Sequence, residues 1–139
     1  MAHAPNIPPL QVHLCVKGGD EAIAWYERAF GARCTMNAKA EDGVRVMHAN
    51  LQMFDAEVML HDEFPEFGGD VLAPAGSAAV LTISVNRPAP AAVDAAFARA
   101  VDAGAEAVLA PVDVFWGARY AKIRDPFGHV WAFNAGLSQ

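Results

Sequence analysis

The chain has 139 residues, with 16 acidic against 10 basic side chains for a formal charge of −6, and only two cysteines. At this length one domain buries roughly 68% of the surface its unfolded chain exposes, so a single core suffices without disulfides or a structural metal. The acidic balance argues against a nucleic-acid binder, which needs a basic face, and Cys15 and Cys34 are read as buried thiols rather than a disulfide framework.

The apolar fraction is 54%, but 29 of those residues are alanines. The greasiest runs, 78–85 and 105–112, fall far short of the ~18 apolar residues of a membrane-spanning helix. Residues 1–10 carry Pro5, Pro8 and Pro9 and no apolar segment of the kind a secretory signal needs. The expectation is a cytoplasmic protein without a membrane or nucleic-acid partner.

Residues 1–9 read as a flexible arm, because prolines cannot pair into a sheet interior. In 10–16, Leu10, Val12, Leu14 and Val16 alternate with Gln11, His13 and Cys15, the period of a half-buried strand. Asp20 is placed as the N-cap of a helix whose Ile23, Tyr26 and Phe30 share a face and which Gly31 ends. Strands follow at 33–40 and 44–53 around an Asp42-Gly43 turn. A tight turn at 54–56 leads to a strand at 57–61.

The plan then repeats. After a connector at 64–77 comes a strand at 79–85. Pro90 starts a helix that buries Val93, Phe97 and Val101, and Gly104 closes it. Strands are expected at 106–110, 118–124 and 129–134, the last two joined by Asp125-Pro126-Phe127-Gly128, whose proline and glycine preset the turn. The reading is α+β, one domain of two βαβββ modules at about 10–63 and 78–135.

Four stretches carry a resemblance: D-E-A-I-A-W-Y-E-R-A-F-G-A from Asp20, M-H-A-N-L at 47–51, V-M-L-H-D-E at 58–63 and F-W-G-A-R-Y-A-K-I-R-D-P-F-G-H-V-W at 115–131. Together they resemble the glyoxalase and bleomycin-resistance proteins (the vicinal oxygen chelate superfamily), and within them the PhnB-like branch. The resemblance implies a curved, barrel-like mixed sheet around a cleft, and commonly a homodimer whose two chains build the sites. It also implies a divalent metal (Zn, Ni, Mn or Fe) in the metal-using members, held by one ligand on each of four strands, or a drug held without metal in others.

On that pattern the first ligand position falls at Gln11, its partner at Val80, and the others at or next to Leu60 and at Ala132. Valine and alanine offer no lone pair, and one neutral amide cannot hold a divalent ion against water. A one-residue shift brings in His61. The metal candidates are therefore Gln11 and His61, an incomplete set, and the leading expectation is a small-molecule binder without the full metal site. The alternative is a metal-dependent lyase, isomerase or dioxygenase with shifted ligands.

Gln11, His13, His48, His61, Trp116 and Arg119 are the candidate ligand-binding residues; no catalytic residue is assigned. Each also has a plain structural role open to it. His13 can be a satisfied cleft residue, and His48 a packing or cross-strand partner. His61 stands beside Asp62 and Glu63, only one of which can reach it from a regular strand. Trp116 can plug the sheet edge, and Arg119 can pair with an acid such as Asp125. His129, Trp25 and Tyr26 are read as structural.

Overall fold

A computed structural model describes residues 8–67, 71–75 and 81–137. Most of the arm, part of the connector, the start of the 79–85 strand and the Val80 position lie outside the described residues. Within them the order is β1(Val12–Val16), α1(Gly19–Phe30), β2(Arg33–Lys39), β3(Val46–Met53), β4(Ala56–Asp62), β5(Thr82–Asn86), α2(Pro90–Asp102), β6(Glu106–Val114), β7(Ala118–Arg124) and β8(Val130–Gly136). A short 3-10 turn, Pro65–Phe67, punctuates the connector. No described helix is long and apolar enough to cross a membrane.

Two four-stranded mixed sheets form, β1-β4-β3-β2 and β5-β8-β7-β6, with the first strand of each module parallel to the last. The α+β class and the paired βαβββ plan are those expected. The sheets are curved but separate, and they do not close into a barrel. β6 runs on to Val114 past Pro111, four residues beyond expectation, because it is an edge strand whose register breaks between Leu109 and Val112. A proline without an N–H is tolerated there.

The start of α1 corrects a second expectation. Asp20 is not the cap: it lies inside the first turn, bonded to Asn37 and Lys39. Gly18 occupies the cap position with φ 86°, and the free amides are satisfied from across the fold. The Asp62 carboxylate, 5% exposed, accepts from Gly18 N at 2.8 Å, Gly19 N at 3.0 Å and Val46 N at 2.8 Å. A negative charge at a helix N-terminus is stabilised by its amides and dipole. The carboxylate comes this close because residue 19 has no side chain: a Cβ there would stand 2.5 Å from Asp62 Oδ2 and 2.6 Å from Val46 Cγ2.

A second buried carboxylate joins the modules. Asp125, 2% exposed, accepts from Tyr26 Oη at 2.5 Å, Trp131 Nε1 at 2.8 Å, Phe127 N at 2.9 Å and His129 N at 3.0 Å. Its turn has the expected form, with Gly128 at φ 95° and Gly128 N donating to Asp125 O. Around this anchor Phe30 of α1 meets Trp131, Phe133 and Phe54, and Trp25 Nε1 donates to Ala103 O at the end of α2. The helices and the helix-facing sides of both sheets share one hydrophobic core. Cys15 is buried as expected, whereas Cys34 is half-buried and donates to Met36 O.

Asp62→Ala leaves three buried amides without an acceptor and is expected to cost about 3 kcal/mol in chemical denaturation. Gly19→Ala, which displaces the carboxylate sterically, is expected to cost about 2 kcal/mol. Burial, then the Asp125 charge and its hydrogen bond, push the Tyr26 phenol well above its ordinary value of 10. The unfolded chain therefore loses this proton first as pH rises, so the contribution is intact below pH 10 and declines above it. Tyr26→Phe should flatten the alkaline limb of a stability-against-pH curve and cost about 2 kcal/mol at neutral pH.

Candidate functional site

Strand alternation sorts the first sheet into a helix side and an open side. Val12, Leu14 and Val16 with Val58, Leu60 and Asp62 turn to the helices, and their neighbours form three rows across the open face. The first row is Gln11, Glu57, Gln52 and Arg33. The second is His13, Met59, Asn50 and Met36, and the third Cys15, His61, His48 and Ala38. His13 thereby meets both other histidines, ring centroids 4.6 Å from His61 and 5.4 Å from His48, each edge to face.

Some polar atoms of this face have identifiable partners. His61 Nδ1 donates to Asp62 O at 2.6 Å, so its Nε2 keeps a lone pair. His48 Nε2 bonds Asn50 Oδ1 at 2.8 Å along its own strand, rather than across to a neighbour. Burial, then the nearby His61 and His48, lower the affinity of His13 for a proton below its ordinary value. Cys15 closes the far end beneath the connector, with Sγ donating to Val71 O, and burial followed by the Glu63 and Asp62 charges pushes its thiol up to about 11. It is an uncharged thiol at neutral pH, not a nucleophile.

Gln11 is elsewhere. Its Nε2 donates to Glu57 Oε1 at 2.9 Å, beside a groove of about 370 Å³ lined also by Val12, Val58, Ile83 and Trp131 at the junction of the modules. Four residues of strand separate the Gln11–Glu57 row from Cys15 and His61, about 13 Å at 3.3 Å per residue. One ion cannot touch both Gln11 and His61. Leu60 turns to the core, and the carboxylate beside Gln11 is Glu57, which the parallel register of β4 against β1 brings there.

Trp116 and Arg119 belong to the second sheet. Trp116, 53% exposed, packs edge-on against Phe115 and Tyr120, at the end of an open face that includes Val112, Leu109 and Lys122. Arg119 turns to the helix side and pairs with Asp94 and Asp113 at 2.9 and 3.0 Å, not with Asp125. It is a structural ion pair. His129 is structural too, its Nε2 donating to Cys15 O across the modules.

The four-ligand metal pattern does not fit these residues. The Glu57 carboxylate accepts from Gln11 Nε2 and Gln52 Nε2, and Ala132 stands between Ser84 and Lys122, a cation that would repel a metal ion. Among the described residues no group of three or more His, Cys, Asp or Glu is arranged to hold one.

With the geometry established, similarity places the chain. An uncharacterized protein of Mycobacterium bovis, Mb0911c, is 37% identical over 131 residues, covering 91% of this chain and 82% of that protein. The crystal structure of TioX from Micromonospora sp. ML1 is similar with a TM-score of 0.71 and 30% identity, covering 92% of this chain and 98% of the other. A Bacillus cereus structure described as a putative 3-demethylubiquinone-9 3-methyltransferase, PhnB protein, shares the fold at 14% identity and a TM-score of 0.69, covering 93% and 100% of the two chains. The profile of the Glyoxalase/Bleomycin resistance protein/Dioxygenase superfamily matches residues 9–133, nearly the whole length, and the chain belongs to that superfamily.

Proposed function

We propose that this chain binds a small, flat organic molecule on the open face of the first sheet, and that a second copy closes the cleft with the aromatic end of its second sheet. The gathering of His13, His48 and His61 around Met59 and Asn50 carries this reading. The two rows that hold the histidines contain no lysine or arginine, Arg33 standing at the β2 end of the Gln11–Glu57–Gln52 row, so the face around the histidines suits a neutral or cationic ligand and disfavours an anion. Imidazole edges and a thioether give polarisable contact, and the Asn50 amide gives direction.

The packing of one chain supports the homodimer. Both sheets turn their helix sides to one core, so their open faces point away from it and cannot line a common cleft within one molecule. A two-fold axis that sets the histidine face of one copy against the Trp116 end of the other makes two identical clefts. Val108, Leu109, Val112 and Trp116 on the second sheet, and Met36 and Met47 on the first, are exposed apolar groups such an arrangement would cover. Two free cysteines suit a reducing cytoplasm.

Sedimentation should give a dimer that Val112→Lys converts to monomer. A panel of planar organic amines and neutral aromatics should raise the melting temperature of the wild type, since a ligand selective for the native state stabilises it by about 2.7 kcal/mol at a hundredfold excess over Kd. His13→Ala and Trp116→Ala should each remove that shift. A monomer with no shift from any member would sink the reading. Stoichiometric metal in protein purified without tags or chelators, lost on replacing His13 or His61, would replace it with a metal-dependent lyase, isomerase or dioxygenase.

The electrostatics of the face are testable separately. His13 should titrate below 6.5 when its ring protons are followed by NMR, and His61→Gln should raise that midpoint by removing a like charge. With its folded value lowered, the His13 contribution to stability is present above pH 6.5 and is lost as pH falls below it.

A further inference from the structure

On the side of the molecule away from the histidines, a groove of about 380 Å³ runs between the end of α1, the β3–β4 turn and one face of α2. Its apolar wall is Phe30, Phe54, Ala92, Ala95 and Ala96, and its cations are Arg87 and Arg99. The spacing 92, 95, 96 and 99 is one helical stripe, so small side chains leave the space and Arg99 ends it.

Neither guanidinium of the groove is neutralised by a carboxylate. Of the seven arginines, Arg45, Arg119 and Arg124 pair with carboxylates, whereas Arg87 and Arg99, like Arg28 and Arg33, pair with none among the described residues. Arg87 lies over the Phe54 ring, 5.3 Å from its centroid, and its buried Nε finds no acceptor among the described residues. A buried donor left unmade costs about 1–3 kcal/mol, so this one is poised for an acceptor from outside. Arg99 Nε donates to Arg28 O at 2.9 Å, which fixes the side chain, and its two terminal nitrogens have no hydrogen-bond partner among the described residues. The carboxylate among the lining residues is Asp55, which is exposed. Phe54 and Asp55 both hold positive φ, 53° and 59°, and this turn presents the Phe54 ring to Arg87. At its open end α2 begins without a side-chain cap or an acidic residue in its first turn, which adds partial positive charge beside Ala92.

We propose that this groove is a second ligand site, distinct from the histidine face, and that it takes a small organic anion with an apolar body. The carboxylate, or an equivalent anionic group, accepts from Arg87 with Arg99 as the flanking cation. The apolar body lies along the alanine stripe against Phe30 and Phe54. A guanidinium held over an aromatic ring is preorganised for a planar carboxylate in a way a lysine is not.

The test uses full-length protein labelled with nitrogen-15 and titrated with hexanoate, benzoate and phenylacetate, and with phenylacetamide as the uncharged control. The Nε–H signal of Arg87, assigned through its loss in Arg87→Lys, should move in a saturable way with at least one carboxylate and not with phenylacetamide. Arg87→Gln should weaken that binding about tenfold or more, and Ala95→Leu, which fills the stripe, should weaken it without removing a charge. Asp55→Asn should strengthen it by removing the like charge at the rim. Failure of every carboxylate to move the signal, equal binding of phenylacetamide, or weaker binding by Asp55→Asn would overturn the proposal. His13→Ala should leave this titration unchanged, so the two sites stand or fall independently.

Discussion

The arrangement of this molecule turns on one buried carboxylate. Asp125 sits in a turn of the second module and receives the hydroxyl of Tyr26 from the helix of the first and the indole N–H of Trp131 from the last strand. A charge this deeply buried persists because four donors reach it, and removing any one strands the rest. Its geometry fixes α1 against β8, and the aromatic cluster of Phe30, Trp131 and Phe133 fills in around it. The modules are thereby joined through their helix sides, which leaves both open sheet faces turned outward.

Asp62 plays the matching part within the first module. By accepting three backbone amides it ties the end of β4 to the start of α1 and to the start of β3. The same residue divides labour with its neighbours along the strand. Asp62 faces inward and holds the fold, whereas His61 faces outward and belongs to the candidate site. The dense His61-Asp62-Glu63 group is thus two structures back to back, separated by the pleat.

Electrostatics separate the two candidate sites. The two histidine rows carry no lysine or arginine, Arg33 lying at the far end of the neighbouring row, and His13 is held toward its uncharged form, so a neutral or cationic organic molecule meets little repulsion there. The groove beneath Phe54 collects two arginines without carboxylate partners among the described residues and so favours the opposite charge. The net acidity of the chain describes neither surface, because its charges are distributed by face and not by sum.

Much of this was legible in the sequence. Alternation over 10–16, the helical spacing of Ile23, Tyr26 and Phe30, and the Asp-Pro-Phe-Gly turn determine their elements through local geometry, and the repeated order determines the paired modules. The placement of Gln11, His13 and Cys15 on one side of their strand also follows from alternation. Long-range pairing decided the rest. The cap of α1 comes from a residue 43 positions away, which no local rule selects over the adjacent Asp20. Parallel register put Glu57, not His61, beside Gln11, and a strand's side-chain period cannot reveal register on its own. Arg119 looked like a ligand partner but faces the helices, and the Arg87–Arg99 groove is invisible in sequence because its walls come from three separate elements. Local chemistry determined what the pieces are; tertiary packing, through two buried carboxylates that need donors from distant segments, decided which faces meet and which are left open.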